Sequence, residues 1–452
     1  MFYLRLRVPR TLQEKVGRTH FWRSLGTGRW VEAVREARLV GAQFETLLRQ
    51  AEGRGLSLVR FDHDLRDVGE TILPTVPPKV AKTLREVFEL HQSDPSKART
   101  SKTVLAYENT FEVIGAVIDL DTPICDISRD DCRRLMETLR WVPSNPTKRY
   151  PKLGIVQAAE MAKRKKLTST LNPATINAYL NRLSSVLNFA MNEGLIDRNP
   201  TRGLKVADPV RARDKRLPFS PQQLQRIFNA PLYRGCLNDE AGYATPGPNS
   251  PRRARFWVPL IGLLSGMRLN EICQLDVADI QEIEGVPCFH VRPDTSTKGG
   301  KRLKTEASER LVPIHPTLLN IGIMVYVEAQ RAKGVAKLFP ELRRSTTGYY
   351  SDPFSKWFRR FLVAAGADGP RTCFHSFRHC FRDALREGHV EHDVGLSLGG
   401  WAGAKSASVA EAYGHGPTIS RISSGIASVG YRDLDLGHLA SKSRSPSGKP
   451  IG

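Results

Sequence analysis

Long hydrophobic runs are missing from this 452-residue chain. The longest, residues 256–264, falls far short of the roughly 20 apolar residues a membrane-spanning helix takes. No membrane partner is therefore expected. Arg5, Arg7 and Arg10 interrupt what would have to be the apolar core of a secretory signal, and a cytoplasmic location is expected. Cysteines are few and odd in number, seven, with no CxxC pair, which suits reduced thiols rather than a disulfide framework. There is no GxxxxGK[ST] loop to cradle a nucleotide phosphate and no HExxH helix for zinc. Nor do carboxylates cluster as a two-metal site would need. Negative charge is the scarcest commodity: 46 Asp and Glu stand against 68 Lys and Arg, a net +22 with a pI near 9.9. A polyanion is the natural partner of such a chain, with nucleic acid foremost.

What is present is ordinary globular material, 40% hydrophobic and 25% charged, at about three times the ~150 residues of one domain. Residues 3–8 alternate at strand period, with Leu4, Leu6 and Val8 on one face and Arg5 and Arg7 on the other. A second strand at 21–25 and a helix from Val31 complete a small ββα module over residues 1–50, which carries 10 basic and 4 acidic residues. Residues 51–79 gain Pro74, Pro77 and Pro78 and read as a linker. From 80 to 200 the pattern is helical. Ser128 caps one helix before Asp130 and Asp131. Asn172-Pro173 opens another, with Ile176, Leu180, Leu183, Leu187 and Met191 on its buried stripe and Gly194 at its end. Residues 144–167 hold seven basic residues and one acid, among them Lys148, Arg149, Lys163, Arg164, Lys165 and Lys166. A second linker, 201–218, includes Arg211, Arg213 and Lys215. The largest block follows over 219–428, then a tail at 429–452. The expected fold class is multidomain and mainly α: the ββα module, an all-α domain, and an α+β domain with a small antiparallel sheet.

Four places in the largest block carry chemistry. In FWVPLIGLLSGMRLNE a helix ends at Ser265-Gly266 and another begins near Arg268. An arginine there is repelled by the helix dipole, so either Glu271 pairs with it or an anion is its target. Between strands starting near Val286 and Arg310 lies a connection crowded with Lys298, Lys301, Arg302 and Lys304; a lysine on a hairpin suits point-charge contact with phosphate. His375 and Arg378 share one helix face at i, i+3, with His379 beside them. A metal reading of Cys373, His375, His379 and Cys380 lacks a glutamate and a second ligand pair, and no metal site is expected. Last come Trp401 and Tyr413 in LGGW and YGHG.

In their order, GMRLNE at Arg268, Lys304 before Arg310-Leu-Val-Pro313, His375-x-x-Arg378-His379, Gly-Trp401 and Tyr413 resemble the tyrosine recombinases of the phage integrase family. The basic N-terminal module resembles an arm-type DNA-binding domain. The helical domain, with Thr175-Ile-Asn-Ala-Tyr-Leu and the stretch from Glu193 to Pro200, resembles a core-binding domain. The resemblance implies that Tyr413 attacks a phosphodiester to leave a 3'-phosphotyrosyl link. It implies that Arg268 and Arg378 hold the non-bridging oxygens, that Lys304 protonates the leaving 5'-oxygen, and that His375 assists proton transfer or holds the phosphate. Trp401 would donate its indole N–H, with Glu271 and His379 as supports. Lys298 and Lys301 are the alternatives to Lys304, and Tyr431 to Tyr413. No cofactor is implied, because exchanging one phosphoester for another conserves bond energy. The implied partners are duplex DNA at specific sites, further copies of the chain as a tetramer passing through a Holliday junction, and accessory DNA-bending proteins. Residues 419–439 are the candidate for packing on a neighbouring subunit, and integration or excision of a mobile element is the implied role. The rival readings are a type IB topoisomerase-like relaxing enzyme, a catalytically silent site-specific DNA-binding protein and a metal-dependent nuclease.

Overall fold

The computed structural model describes residues 2–17, 19–53, 81–97, 99–211, 214–293, 300–301, 308–401 and 416–440. Residues 1–81 and 82–452 are two separate compact units.

In the first unit, strands β1 (Tyr3–Arg7) and β2 (His20–Ser24) pair antiparallel, joined by helix α1 (Arg10–Val16) and followed by α2 (Trp30–Gly53). The sequence pattern did not show α1, although Pro9 before it and Gly17 after it, at φ 69°, are ordinary start and stop signals. Val8, Leu12, Phe21 and Phe44 bury the inner face of the ribbon, with the Phe21 and Phe44 rings stacked at 5.6 Å. The outer face keeps Tyr3, Arg5 and Arg7 beside Trp22 and Ser24. There the Arg5 guanidinium lies 5.0 Å above the Trp22 ring.

The second unit begins with a helical layer: α3 (Leu84–Ser93), α4 (Ser101–Gly115), α5 (Arg129–Trp141), α6 (Pro146–Arg149), α7 (Ile155–Arg164) and α8 (Pro173–Asn192). The caps are those the sequence marks. Ser128 Oγ accepts from Asp131 N while Asp131 answers to Ser128 N, and Asn172 Oδ1 accepts from Thr175 N at 2.8 Å. Helix α8 is the central post, with α3, α4 and α5 against it. Its stripe includes Val186 and Ala190, and Met191 is half exposed instead of buried. Repeated i+4 steps advance about 40° each around a helix, which carries Met191 off the face that Ile176 defines.

The larger layer holds α9 (Pro221–Phe228), α10 (Pro231–Arg234), α11 (Ala254–Ser265), α12 (Leu269–Cys273), β3 (Ile280–Ile283), β4 (Val286–Val291), β5 (Arg310–Pro313), α13 (Pro316–Ile321), α14 (Ile323–Ala332), α15 (Ser351–Ala364), α16 (Ser376–Glu387), α17 (His392–Gly399) and α18 (Ile419–Ala427). The sheet runs β3-β4-β5, antiparallel throughout. β3 is an addition to the sequence reading. It turns into β4 through Glu284 and Gly285, both at positive φ (50° and 77°), the geometry of a tight hairpin. Helix α11 is buried on all sides and packs on α16, with Phe374, Phe377 and Phe381 among the aromatic rings of the core.

The packed chain does not stop at Ser428. Val429 and Leu439 belong to the same core, and Tyr431 donates its hydroxyl to Leu263 O at 2.8 Å. Helix α18 lies on α17 and β5. Within residues 419–439, Ile422, Ile426 and Leu439 pack into the core of their own chain.

Gly266 ends α11 at φ 62°, and a Cβ there would collide with the Phe381 ring. Gly266→Ala should therefore cost roughly 2–4 kcal/mol from left-handed strain and overpacking together, read as a lowered urea midpoint. An unchanged midpoint would show that the turn relaxes freely.

Candidate active site

The turn at Gly266 aims Arg268 back across the sheet. Glu271, one turn into α12, accepts from Arg268 N at 2.9 Å and from its Nη1 at 2.6 Å. Of the two sequence readings of this arginine, the pairing with Glu271 is present, and a quarter of its side chain remains exposed. Nη1 also donates to Ser308 Oγ at 3.1 Å, and Nη2 to Gly400 O at 3.3 Å.

Glu271 is shared. Arg310, buried on β5, donates Nη2 to Glu271 Oε2 at 2.9 Å, Nε to Leu398 O at 2.9 Å and Nη1 to Ser308 O at 2.8 Å. Burial would push the Glu271 carboxyl up, but Arg310 and Arg268 outweigh it and hold the group below its ordinary range. The sequence reading used Arg310 only as part of a motif. Its signal was a cation inside the short apolar strand RLVP, at a register position facing the core.

Arg378 sits on the α16 face that meets α11. Its Nη1 donates to Gly266 O at 2.7 Å and its Nη2 to Gly399 O at 2.5 Å, while the Trp401 ring lies 4.6 Å from its guanidinium carbon. Arg382, one turn on and exposed, takes the same ring at 5.5 Å. Burial first, then the charges of Arg268 and Arg310, bring Arg378 down to about 9. This is a guanidinium crowded by like charge and oriented by neutral carbonyls. The pair Gly399-Gly400 makes that possible: a Cβ at Gly399 would strike Trp401, and one at Gly400, where φ is 53°, would press on Arg310.

His375 caps α16 beside Arg378, its ring 5.3 Å from that of His379. Burial, then Arg216, His379, Arg378 and Arg268 in that order, lowers His375 to about 4. His379 is lowered too, by burial above all. Both imidazoles are neutral at pH 7. Arg216, exposed in the second linker, is a further cation at this face that the sequence reading passed over.

Thus Arg268, Glu271, His375, Arg378, His379 and Trp401 converge. Lys298, Lys304, Arg213 and Tyr413 lie outside the described residues. Lys301 is buried, with Nζ on Asp279 Oδ2 at 2.6 Å and Asp276 Oδ2 at 2.9 Å. Tyr431 is half-buried, with its hydroxyl donated to Leu263 O and its ionisation pushed well up by burial. Cys380 accepts from Phe219 N at 3.2 Å; among the described residues no three His, Cys, Asp or Glu side chains form a metal-holding group. Among them also, no helix is long and apolar enough to cross a membrane.

The cations proposed for DNA lie on the surface. Lys148, Arg149, Lys163, Arg164, Lys165, Lys166 and Arg211 are exposed, as is Lys215, which pairs with Asp208 at 2.8 Å. Lys163 and Arg164 close α7 and Lys165 caps it, so helix-dipole electrostatics alone favours part of this run.

Residues 243–415 match the phage integrase family, a span that takes in every converging side chain and the Tyr413 position. The chain carries a phage integrase-family domain. That family is the tyrosine recombinases, so the enzyme class is tyrosine-type site-specific recombinase. Residues 1–53 match a domain of unknown function, DUF6538. Among solved structures, the Tn1549 transposon integrase in complex with a circular intermediate DNA is similar, at 16% identity over 71% of this chain and 92% of that one, TM-score 0.46. So is a lambda integrase tetramer bound to a Holliday junction, at 17% identity over 90% and 95%, TM-score 0.46. No curated protein matches the chain.

Proposed function

We propose that this integrase-family protein cuts and rejoins duplex DNA at specific sites through a 3'-phosphotyrosyl intermediate, to integrate or excise a mobile element. The observation that carries the reading is the convergence of Arg268 and Arg378 with neutral His375 and the Trp401 indole. Arg268, a quarter exposed, and the buried Arg378 beside it are the two guanidiniums that would take the non-bridging oxygens of one phosphodiester, where charge builds as the attacking oxygen bonds. Tyr413 is the nucleophile, and its oxygen displaces the 5'-oxygen at phosphorus. Lys304 gives that leaving oxygen its proton. A neutral His375 can accept the tyrosyl proton or donate a hydrogen bond to the phosphate, whereas a charged one could only donate. His379 and Glu271 hold the set in place. The scheme uses no cofactor.

Residues 1–50 serve as a DNA-binding arm and residues 80–200 as the core-binding domain, separated by the linker 51–79. Linker 201–218 leads into the catalytic domain. Lys148, Arg149, Lys163, Arg164, Lys165, Lys166, Arg211, Arg213 and Lys215 bind phosphates, so affinity falls as salt rises. The outer face of the N-terminal ribbon, with Arg5 over Trp22, supports the arm reading. Trp22→Ala should weaken binding of DNA by residues 1–53 without slowing cleavage at a short core site, as read by fluorescence anisotropy and single-turnover kinetics. Equal binding would remove the arm. On DNA the protein works as a tetramer, with accessory DNA-bending proteins where the sites must be brought together, and it acts in the cytoplasm.

The experiment is capture from a library of random duplexes in excess EDTA. DNA still attached after SDS is recovered and sequenced. One recurrent sequence, linked through its 3' side, is the expected result. Adducts without sequence preference, together with relaxation of any supercoiled plasmid, would point to a topoisomerase-like enzyme. Cleavage lost in EDTA would leave a nuclease.

A further inference from the structure

We infer that Arg310 is a positioning residue that keeps part of the Arg268 guanidinium open for the scissile phosphate. The inference rests on the phosphate-holding role given to Arg268 above. An arginine beside a carboxylate readily closes on it with two parallel N–H···O bonds, and a guanidinium closed in that way has less left to offer a second anion. Here the fork is open. Arg310 Nη2 and the Arg268 backbone N–H share Glu271 Oε2, each at 2.9 Å, and Arg268 Nη1 takes Oε1 at 2.6 Å.

A guanidinium has five N–H donors. In Arg268, Nη1 uses its two on Glu271 Oε1 and on Ser308 Oγ at 3.1 Å, and Nη2 uses one on Gly400 O at 3.3 Å. The Nε–H and the second Nη2–H meet no acceptor among the described residues, while a quarter of the side chain is exposed. Those two donors are what a phosphate oxygen would find. Without Arg310, Glu271 Oε2 would lose its outside partner and turn to one of them, closing the fork and drawing the guanidinium out of place.

Arg310 is itself held firmly. It is 9% exposed on β5, with Nε on Leu398 O at 2.9 Å and Nη1 on Ser308 O at 2.8 Å. A Cβ at Gly400 would lie 2.9 Å from its Nη1 and 3.1 Å from its Cζ, so the backbone runs directly against the guanidinium. Leu398 O, Gly399 O and Gly400 O, consecutive carbonyls at the end of α17, accept from Arg310, Arg378 and Arg268 in turn. Carbonyls at a helix C-terminus lack a helical partner and carry the negative end of the dipole, which makes them a ruler for three neighbouring guanidiniums. Arg378 has a second anchor on Gly266 O at 2.7 Å, so the loss of Arg310 bears first on Arg268.

The test is a double-mutant cycle, read as single-turnover cleavage of a nicked duplex built on the captured site. In the step measured, the tyrosyl oxygen loses its proton and bonds to phosphorus, while the 5'-oxygen departs with the bond pair and gains a proton. Arg310→Met should slow this step about tenfold or more, since a misplacement of about 1 Å can cost 100-fold. Arg268→Ala should slow it by about 100-fold or more. The double variant should be no slower than Arg268→Ala alone, because no guanidinium is left to hold open. In an Arg378→Ala background, Arg310→Met should still slow cleavage by about its full factor, as changes without a shared partner do. Arg310→Lys keeps a cation on Glu271 and should stay within about threefold of wild type, roughly the worth of one hydrogen bond. Should Arg310→Met fail to fold, Arg310→Gln, which can still donate to Glu271, provides a second variant with the same pattern in milder form. If either variant slows cleavage by the same factor with and without Arg268, Arg310 is merely structural and the inference falls. If Arg268→Ala cleaves at the wild-type rate, the reading of Arg268 fails first and takes the inference with it.

Discussion

Tyr413→Phe should abolish the covalent protein–DNA adduct, at a loss of more than about 10⁴-fold, while binding to the site changes little. In the proposed scheme the Tyr413 phenol oxygen is the atom that bonds to phosphorus, and phenylalanine has no oxygen to take its place. No cation is removed, so the phosphate contacts that dominate affinity persist. Tyr431→Phe is the matched control. Its hydroxyl is committed to Leu263 O, so that variant should lose roughly 0.5–1.5 kcal/mol of stability and keep the adduct. The measurement is the shifted band on a denaturing gel with a nicked substrate. An adduct that persists in Tyr413→Phe and vanishes in Tyr431→Phe would reverse the assignment.

Arg378→Ala should lower single-turnover cleavage at saturating DNA by about 10²–10³-fold, the range seen when one preorganised donor to a developing oxyanion is removed. The change would also leave Gly266 O and Gly399 O without this donor and Trp401 with Arg382 as its remaining cation, so the thermal midpoint should fall too. Arg378→Lys separates the two effects. A lysine keeps one charge and can satisfy one carbonyl, but it has no planar fork to share between the turn and a phosphate. It should recover most of the stability and little of the rate. A variant that cleaves at the wild-type rate would take Arg378 out of the chemistry.

Local signals carried much of the fold. Ser128 with Asp131, Asn172 before Pro173, and Gly266 after an apolar helix each act within one turn of the backbone, so a few adjacent residues announce them. The strand β3 escaped notice because it is four residues long and is defined by pairing with β4. The packing of Tyr431 and Leu439 on their own core depends on residues more than 160 positions away. The arginines and histidine of the site were legible through their order along the chain. What holds them was not. Arg310 on Glu271, Arg378 on two glycine carbonyls and Lys301 on two aspartates are contacts between segments tens to more than a hundred residues apart, and no period or spacing encodes them. The run Lys163 to Lys166 shows the opposite case, where sequence alone exaggerates: part of that charge is also what the end of a helix favours.

The sharing of Glu271 between two arginines has a consequence for the reaction coordinate. Three guanidiniums, Arg268, Arg310 and Arg378, surround a single carboxylate, so the cluster keeps two positive charges. In the proposed reaction a phosphodiester brings one negative charge, and its non-bridging oxygens gather nearly a second as the attacking oxygen bonds before the leaving one departs. The pocket is therefore overcharged when empty, still overcharged with substrate, and closest to neutral at the crest of the barrier. A site balanced in that way favours the pentacoordinate state over the DNA it binds.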